Sequence, residues 1–192
     1  MSEIFCACFS LEYINLSNLN ALNVEYMNNI FASCTSLLSV NLIDVKTHNL
    51  KKNIGMFYRC LKLKSINISN LYTGNLENIT GMFMYCEKLE SIDLSNFNTQ
   101  KVKAMEILFS NCNSLKSIDL SNFNMENVLS IKKMFYDCPS LSFINIYSFN
   151  NVSLFNSSVF YNLPSKGTII INRNIYLPIN KSLPGWTIIP KE

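Results

Sequence analysis

The sequence is poor in the residues from which most catalytic and cofactor sites are built. Of its 192 residues, 1 is histidine, 5 are glycine and 5 are proline, and no C-x₂-C pair occurs. The chain therefore lacks a glycine-rich loop that could cradle phosphates, and a zinc site has too few ligands at suitable spacing. We predict no cofactor, no metal centre and no enzymatic activity.

Charged residues and long apolar runs are also scarce. Only 15% of the residues are charged, the formal net charge is +3, and the lysines form small pairs such as Lys132 and Lys133. A nucleic-acid-binding surface needs a denser basic patch. No apolar run approaches the roughly 20 residues of a membrane span, and residues 1–10 lack the features of a signal peptide. We expect no nucleic-acid partner, no membrane span and no signal peptide in this chain.

Cysteine, in contrast, is placed with complete regularity. Most of the 7 cysteines follow one another at intervals of 26 residues: Cys8, Cys34, Cys60, Cys86, Cys112 and Cys138. A period of this length indicates stacked supersecondary units. The sequence therefore predicts one elongated repeat domain, in which each unit buries its apolar side against its neighbours.

Apolar residues recur at fixed distances from these cysteines, and we number positions from the repeat cysteine. A Phe stands at −3, a Leu at +3, Ile or Val at +6 and Leu or Ile at +8. Positions +6 and +8 alternate with polar residues, which is typical of a strand. From +16 to the next cysteine the apolar spacing fits one face of a helix, and Thr47, Thr73 and Thr99 stand where an N-cap would lie.

Each unit is therefore predicted to contain a strand, a turn and a short helix. Stacking such units gives a right-handed α/β repeat solenoid, with a parallel sheet on one face and helices on the other. We assign residues 1–163 to six 26-residue repeats and residues 164–192 to a C-terminal capping segment. Counting onward from Cys138 places Pro164 in the cysteine row, Tyr161 in the phenylalanine row and Ile170 at +6.

The repeat also determines the expected state of the cysteines. Each repeat cysteine lies between apolar positions and should behave as a small buried apolar residue. Stacked neighbours lie about 4.8 Å apart, which is long for the Cβ atoms of a disulfide. We predict a ladder of free thiols. Cys6 stands outside the rows, either at a frayed terminus or in a chelating C-x-C pair with Cys8.

The pattern F-x-x-C-x-x-L-x-x-I-x-L-S-x-F resembles a leucine-rich repeat of the bacterial-surface-protein type. The segment MFMYCEKLESIDLSNFN at residues 82–98 and residues 134–146 match the repeat core of the BspA-like family, also described as domain of unknown function 285. The resemblance covers residues 5–163. It implies a solenoid that is secreted or on the surface of bacteria or of some protozoan parasites, often linked to adhesion.

One corner of the repeat departs from ordinary leucine-rich repeats. Position +11 usually carries Asn or Cys, which bonds the turn, but here it carries Leu, Val or Phe. We expect an apolar row at this corner, with the residue at +10 bonding the turn instead. Ser148 interrupts that row, whose other members are Asn18, Asp44, Asn70, Asn96 and Asn122.

The outward side of the sheet is the candidate binding surface, because positions +5, +7 and +9 point away from the core. Its middle part is a field of small polar groups: Ser65, Asn67, Ser69, Ser91, Asp93, Ser95, Ser117, Asp119 and Ser121. Aromatic residues stand at its ends. We hypothesise a protein- or glycan-binding face centred on Asp93, Asp119, Phe143 and Tyr147.

Each of these residues can also be explained without a role in ligand binding by the face. Phe143 and Tyr147 would also be explained by packing beneath the C-terminal cap. Asp93 and Asp119 occupy the same position in adjacent units, so a catalytic acid pair or a Ca²⁺ site on the +7 row are further alternatives. On an open sheet without an implied pocket, a solvated pair of carboxylates explains them better.

The two ends of the repeat array lead to different expectations. At the N-terminal end Ile4, Phe5, Leu11 and Ile14 should expose an apolar edge, so that the chain is either a fragment of a longer array or self-associates end to end. At the C-terminal end Trp186, with Ile188 and Ile189, should cover the core. The missing export signal supports an alternative function as a structural or intracellular scaffold.

Overall fold

Each repeat unit forms one coil of a solenoid, and equivalent positions of successive coils lie side by side. The structure is a computed structural model that describes residues 1–68, 71–175, 179 and 182–191. Its strands are β1 (Tyr13–Asn15), β2 (Ser39–Asn41), β3 (Ser65–Asn67), β4 (Ser117–Asp119), β5 (Phe143–Ile146), β6 (Thr168–Asn172) and β7 (Thr187–Lys191). They form two parallel sheets in chain order, β1 to β3 and β4 to β7. The predicted parallel solenoid is confirmed.

The predicted short helices are wrong. The described residues between +16 and the next cysteine form turns, and short 3₁₀ segments occur only at Val152–Leu154 and Arg173–Ile175 in the described repeats and tail. Alternate backbone amides bond to the next coil, as Phe31 N does to Met56 O at 3.0 Å, and the bonds within the segment join residues only three apart, as Ala32 N does to Asn29 O at 3.0 Å. Left-handed φ values recur at +21, including φ 50° at Ile107, and such residues interrupt a helix.

A continuous row of phenylalanine rings runs along the core. Neighbouring rings are nearly parallel, with centroids 5.5 to 6.0 Å apart. The row contains Phe5, Phe31, Phe57, Phe83, Phe109, Phe135 and Phe160. Each interior ring has an aromatic neighbour on both sides, so the row adds specific ring contacts to the burial of apolar area.

The cysteines form the predicted ladder of free thiols. Each buried thiol donates to the carbonyl of a phenylalanine in the preceding coil, as Cys34 Sγ does to Phe5 O at 2.9 Å and Cys112 Sγ does to Phe83 O at 3.1 Å. Burial raises the pKa of the Cys34 thiol to about 11 and that of Cys138 to about 12. These thiols are therefore protonated and unreactive near neutral pH.

The threonines predicted to be helix N-caps instead connect neighbouring coils. Thr47, Thr73 and Thr99 are buried. Thr99 Oγ1 donates to Asn124 O at 3.2 Å and accepts from Asn124 N at 2.7 Å. One hydroxyl thus satisfies both backbone groups of a single residue in the next coil. With no helix to cap, the row stabilises the stacking of coils, since buried backbone groups need partners.

The +10 and +11 corner behaves as the sequence predicts. The +11 row is buried at Phe97, Phe123 and Phe149. Asn122 Nδ2 lies 3.0 to 3.1 Å from three carbonyl oxygens of the preceding coil. Ser148 keeps one of these contacts, because its hydroxyl donates to Leu120 O at 3.0 Å. Asn70 lies outside the described residues.

The register predicted for the last coil is wrong by one residue. Phe160, not Tyr161, stacks on Phe135, with centroids 6.0 Å apart. Ile169, not Ile170, pairs with Ile144. Leu163, not Pro164, therefore occupies the position of the repeat cysteine in this coil. Keeping the phenylalanine and isoleucine rows aligned requires a shorter coil, and the 3₁₀ turn at Val152–Leu154 lies in the shortened connection.

The two ends of the array agree largely with expectation. Ile4 is 53% exposed, and Phe5, Leu11 and Ile14 are half-buried, so an apolar edge is present at the N-terminal end. Trp186 is buried and its Nε1 donates to Pro164 O at 2.8 Å.

The two isoleucines expected to help Trp186 differ from each other. Ile188 packs partly against the core, but Ile189 points outward and is 41% exposed. The expectation that Ile189 covers the core is therefore wrong. Alternation along β7 explains the difference, since neighbouring strand residues face opposite sides.

Candidate binding surface

The polar side of the sheet is solvent-accessible, as the alternation predicts. We call it the outer sheet face and define it by the side chains at +5 and +7 on β1 to β5, by those at +9, one or two residues after each strand, and by the equivalent positions in residues 91–95. Ser65, Ser91 and Ser117 are exposed members of the +5 row. Ser69 lies outside the described residues.

The +7 row is held in place by its own backbone. In each case the side-chain Oδ1 accepts from the amide nitrogen two residues later, at distances of 2.9 to 3.3 Å. The residues are Asn15, Asn41, Asp93, Asp119 and Asn145. These contacts turn the chain after the strand and fix the orientation of each side chain. Asn and Asp serve this structural purpose equally well.

The two acidic members of the row are both ionised near neutral pH. Hydrogen bonds from the Ser95 backbone and side chain hold the pKa of Asp93 below its ordinary value. Burial acts to raise the pKa of Asp119, but hydrogen bonds from Ser121 and Asn145 outweigh it and the pKa is also lowered. A catalytic acid pair needs one carboxyl held protonated. The arrangement of Asp93 and Asp119 does not provide one.

The structure places Asp119 and Phe143 on neighbouring strands of one sheet, and Tyr147 directly after β5 of that sheet. Asp119 lies opposite Asn145 in the β4–β5 register, and Asn145 Nδ2 donates to Asp119 Oδ2 at 3.1 Å. Phe143 is half-buried between Ser117 and Thr168 on the neighbouring strands. Tyr147 is half-buried two residues after Asn145, and its amide donates to Asn145 Oδ1 at 3.3 Å.

Asp93 belongs to a break between the two sheets. Residues 91–94 form no strand, although their sequence matches that of β4. Ile66 and Ile92, the inward residues beside the break, are only partly buried, whereas Ile118 is fully buried. A cleft of about 280 Å³ is lined by both Asp93 and Asp119. Asp93 therefore lies outside the strands of both sheets but shares this cleft with Asp119.

Sequence reasoning did not place a concave site over β1 to β3. A depression of about 920 Å³ lies on the outer sheet face there, and Tyr13, Asn41 and Asp93 are among its lining residues. Tyr13 is 63% exposed. The run of asparagines at +7 was the available signal, but the depth of the depression depends on how successive coils stack.

The single histidine makes contacts away from any candidate metal ligands in the described part of the chain. His48 stacks on Tyr72 with ring centroids 4.6 Å apart, and its carbonyl accepts from Asn75 Nδ2 at 2.6 Å. Residues 1–68, 71–175, 179 and 182–191 contain no group of three or more His, Cys, Asp or Glu side chains that could hold a metal ion. Within the same residues no helix has the length and hydropathy of a membrane span.

Comparisons with known proteins agree with this architecture. Residues 1–90 and 55–168 match the family described as "Mycoplasma protein of unknown function, DUF285". The crystal structure of the leucine-rich repeat protein of T. pallidum (TpLRR) is similar with a TM-score of 0.53 and 18% identity, covering 99% of this chain and 78% of that one. No curated protein matches the chain. Since the family matches extend over most of the sequence, the chain belongs to the DUF285 family of BspA-like leucine-rich repeat proteins.

Proposed function

We propose that the chain is a non-enzymatic binding module of a secreted or cell-surface protein, acting in adhesion or host interaction. The observation that carries this proposal is the outer sheet face, an exposed field of small polar side chains in a fixed array. Membership of the family supports the location and the class of function. The lowered pKa values of Asp93 and Asp119 and the stacked His48 argue against acid–base catalysis.

The proposed binding face is centred on Asp93, Asp119, Phe143 and Tyr147 and accepts a protein or a glycan. Phe143 and Tyr147 are half-buried, so part of each ring packs against the protein while the rest is available to a partner. Rigid aromatic anchors of this kind often supply most of the energy of an interface. Asp119 adds an ionised acceptor whose position is fixed by Asn145.

The test is a binding screen of the whole chain against immobilised host matrix proteins and glycans, followed by variants. Phe143→Ser with Tyr147→Ser, and Asp93→Asn with Asp119→Asn, should each weaken the interaction at least tenfold. The Asn variants keep the turn geometry already seen at Asn15. Glu126→Gln, exposed outside the proposed face, is the control. Unchanged binding with reduced stability in the aromatic double variant would favour packing beneath the cap and contradict the proposal.

A structural or scaffold function is the second candidate. It is supported by the apolar edge at the first coil, where Phe5, Leu11 and Ile14 are only half-buried. Such an edge favours end-to-end association of two chains. Sedimentation at increasing protein concentration tests this: reversible dimers that Ile4→Asp abolishes would support it, whereas a monomer at all concentrations would contradict it.

A further inference from the structure

The depression over β1 to β3 has a chemistry of its own and shares only Asp93 with the predicted centre of the binding face. Its volume of about 920 Å³ is within the range of small-molecule clefts. Seven of its lining residues have polar side-chain atoms: Tyr13, Asn15, Ser39, Asn41, Ser65, Asn67 and Asp93. They belong to successive coils, so equivalent groups repeat about every 4.8 Å along the solenoid.

The asparagine side chains present hydrogen-bond donors to this depression. Asn15 Oδ1 accepts from Ser17 N at 3.0 Å, and Asn41 Oδ1 accepts from Ile43 N at 3.1 Å. Each amide is thereby oriented, while its Nδ2 group has no partner among the described residues. An amide Nδ2 carries two donor hydrogens. Oriented donors without a partner favour a ligand that offers acceptor oxygens.

The charge of the lining excludes several ligand classes. Asp93 is its one charged residue, and no lysine or arginine lines the depression. An anionic polymer would meet no cation there and would approach an ionised carboxylate. Asp93 and the hydroxyls of Ser39 and Ser65 instead accept hydrogen bonds from hydroxyl groups. A ligand with many neutral hydroxyls matches both kinds of group.

An exposed aromatic ring borders the depression at the first coil. Tyr13 is 63% exposed and starts β1, so one face of its ring can lie against a bound molecule. Tyrosine combines a flat apolar surface with a polar hydroxyl. The C–H face of a sugar ring matches this surface, and its hydroxyl edge matches the asparagine and serine rows.

We propose that this depression binds a neutral, unbranched oligosaccharide that runs along the solenoid axis across β1, β2 and β3. The proposal rests on the proposed function, since it names the ligand class for one part of the outer sheet face. A peptide ligand that adds a strand to a sheet needs an open backbone edge, whereas the depression presents side chains on the sheet face.

The experiment uses the ¹⁵N-labelled whole chain and hexasaccharides of glucose and of N-acetylglucosamine in β-1,4 linkage, with a heparin hexasaccharide as the anionic probe. A neutral hexasaccharide should shift the side-chain amide signals of Asn15 and Asn41. Tyr13→Ala should weaken its binding about tenfold. Asn41→Asp keeps the turn acceptor, as at Asp93, but removes the donor and should weaken binding about two- to tenfold.

Tyr26→Ala is the matched control, because Tyr26 is also exposed but does not line the depression. Three results would each overturn the inference. The heparin hexasaccharide could bind more tightly than the neutral ones, or no neutral hexasaccharide could shift the amide signals. The Tyr13→Ala and Tyr26→Ala variants could also lose the same amount of binding affinity. If a ligand from the screen depends on Phe143 and Asp119 but not on Tyr13, the inference fails and the proposed function stands. If no ligand depends on either group, both fail.

Discussion

The two ends of the solenoid are built from the same repeat but differ in how fully their core residues are buried by neighbouring coils. At the N-terminal end Phe5 stacks on Phe31 alone, and Cys8 is half-buried. Near the C-terminal end Phe135 lies between two rings and Cys138 is fully buried. Burial in this fold therefore depends on neighbouring coils as well as on the position within the repeat, as expected when each unit contacts only its neighbours.

The largest effect should come from making the same substitution at the N-terminal end and in the interior of the phenylalanine row. Phe135→Ala removes a fully buried ring from between Phe109 and Phe160 and should lower the free energy of unfolding by about 3–5 kcal/mol. Phe5→Ala removes a half-buried ring with one aromatic neighbour and should cost less than half as much. Urea unfolding followed by circular dichroism measures both. Equal losses would show that the N-terminal end is as tightly packed as the interior.

A smaller loss of stability is expected when a methyl group is added at Gly167, beneath the C-terminal cap. A Cβ atom at Gly167 would lie 2.7 Å from Ser142 O and 2.8 Å from the Trp186 ring. Gly167→Ala should therefore lower the free energy of unfolding by about 1–3 kcal/mol, since the clash involves backbone and a packed ring. It should also shift the fluorescence of the single tryptophan to longer wavelength. Thermal unfolding and emission spectra measure these changes.

Gly74→Ala is the matched control for the cap. Its Cβ would lie 2.9 Å from the Tyr72 hydroxyl, but Tyr72 and the His48 ring stacked on it are both exposed, so the two rings can shift together. A change within about 0.5 kcal/mol is expected. If both alanine variants are equally stable, the cap is looser than the contacts around Gly167 indicate.

Strand positions could be predicted from the sequence because alternation reports directly which side chains face the core. The helices could not, because apolar residues at intervals of three suit successive tight turns as well as a helix. The deciding feature is the left-handed backbone at +21, which is marked by glycine only at Gly55 and Gly81 and is adopted without glycine at Ile107 and Lys133. Many backbone amides also find their acceptor carbonyls in the next coil, and these partners cannot be predicted before the stacking of the coils is known.

Some features of the candidate site could likewise be predicted from the sequence, and others could not. The polar outer sheet face followed from the repeat, and Asp119, Phe143 and Tyr147 lie on it as predicted. The break at residues 91–94 did not follow, since the same SIDLSNFN sequence forms strand β4 in the next coil. A sequence repeated in two neighbouring coils cannot by itself predict different structures for them. The depression over β1 to β3 was missed for another reason, since its depth depends on how successive coils stack.

The smallest change in stability should follow substitution of the cysteine that stands outside the rows. Cys6 is exposed at the open end, whereas Cys34, Cys60 and Cys86 are buried in the ladder. Cys6→Ser should alter the free energy of unfolding by less than about 0.5 kcal/mol. It should nevertheless remove the fastest phase of thiol labelling by an aromatic disulfide reagent near pH 8.

The buried ladder explains why the remaining phases should be slow. The thiolate is the reactive form, and burial holds the pKa of Cys34 at about 11 and that of Cys138 at about 12, so both stay protonated at the pH of the assay. Cys138→Ala serves as the comparison and should leave the fast phase intact while removing one slow thiol. Fast labelling of Cys138 in the folded chain would mean that the C-terminal end opens as readily as the N-terminal one, and the contrast between the two ends would then be lost.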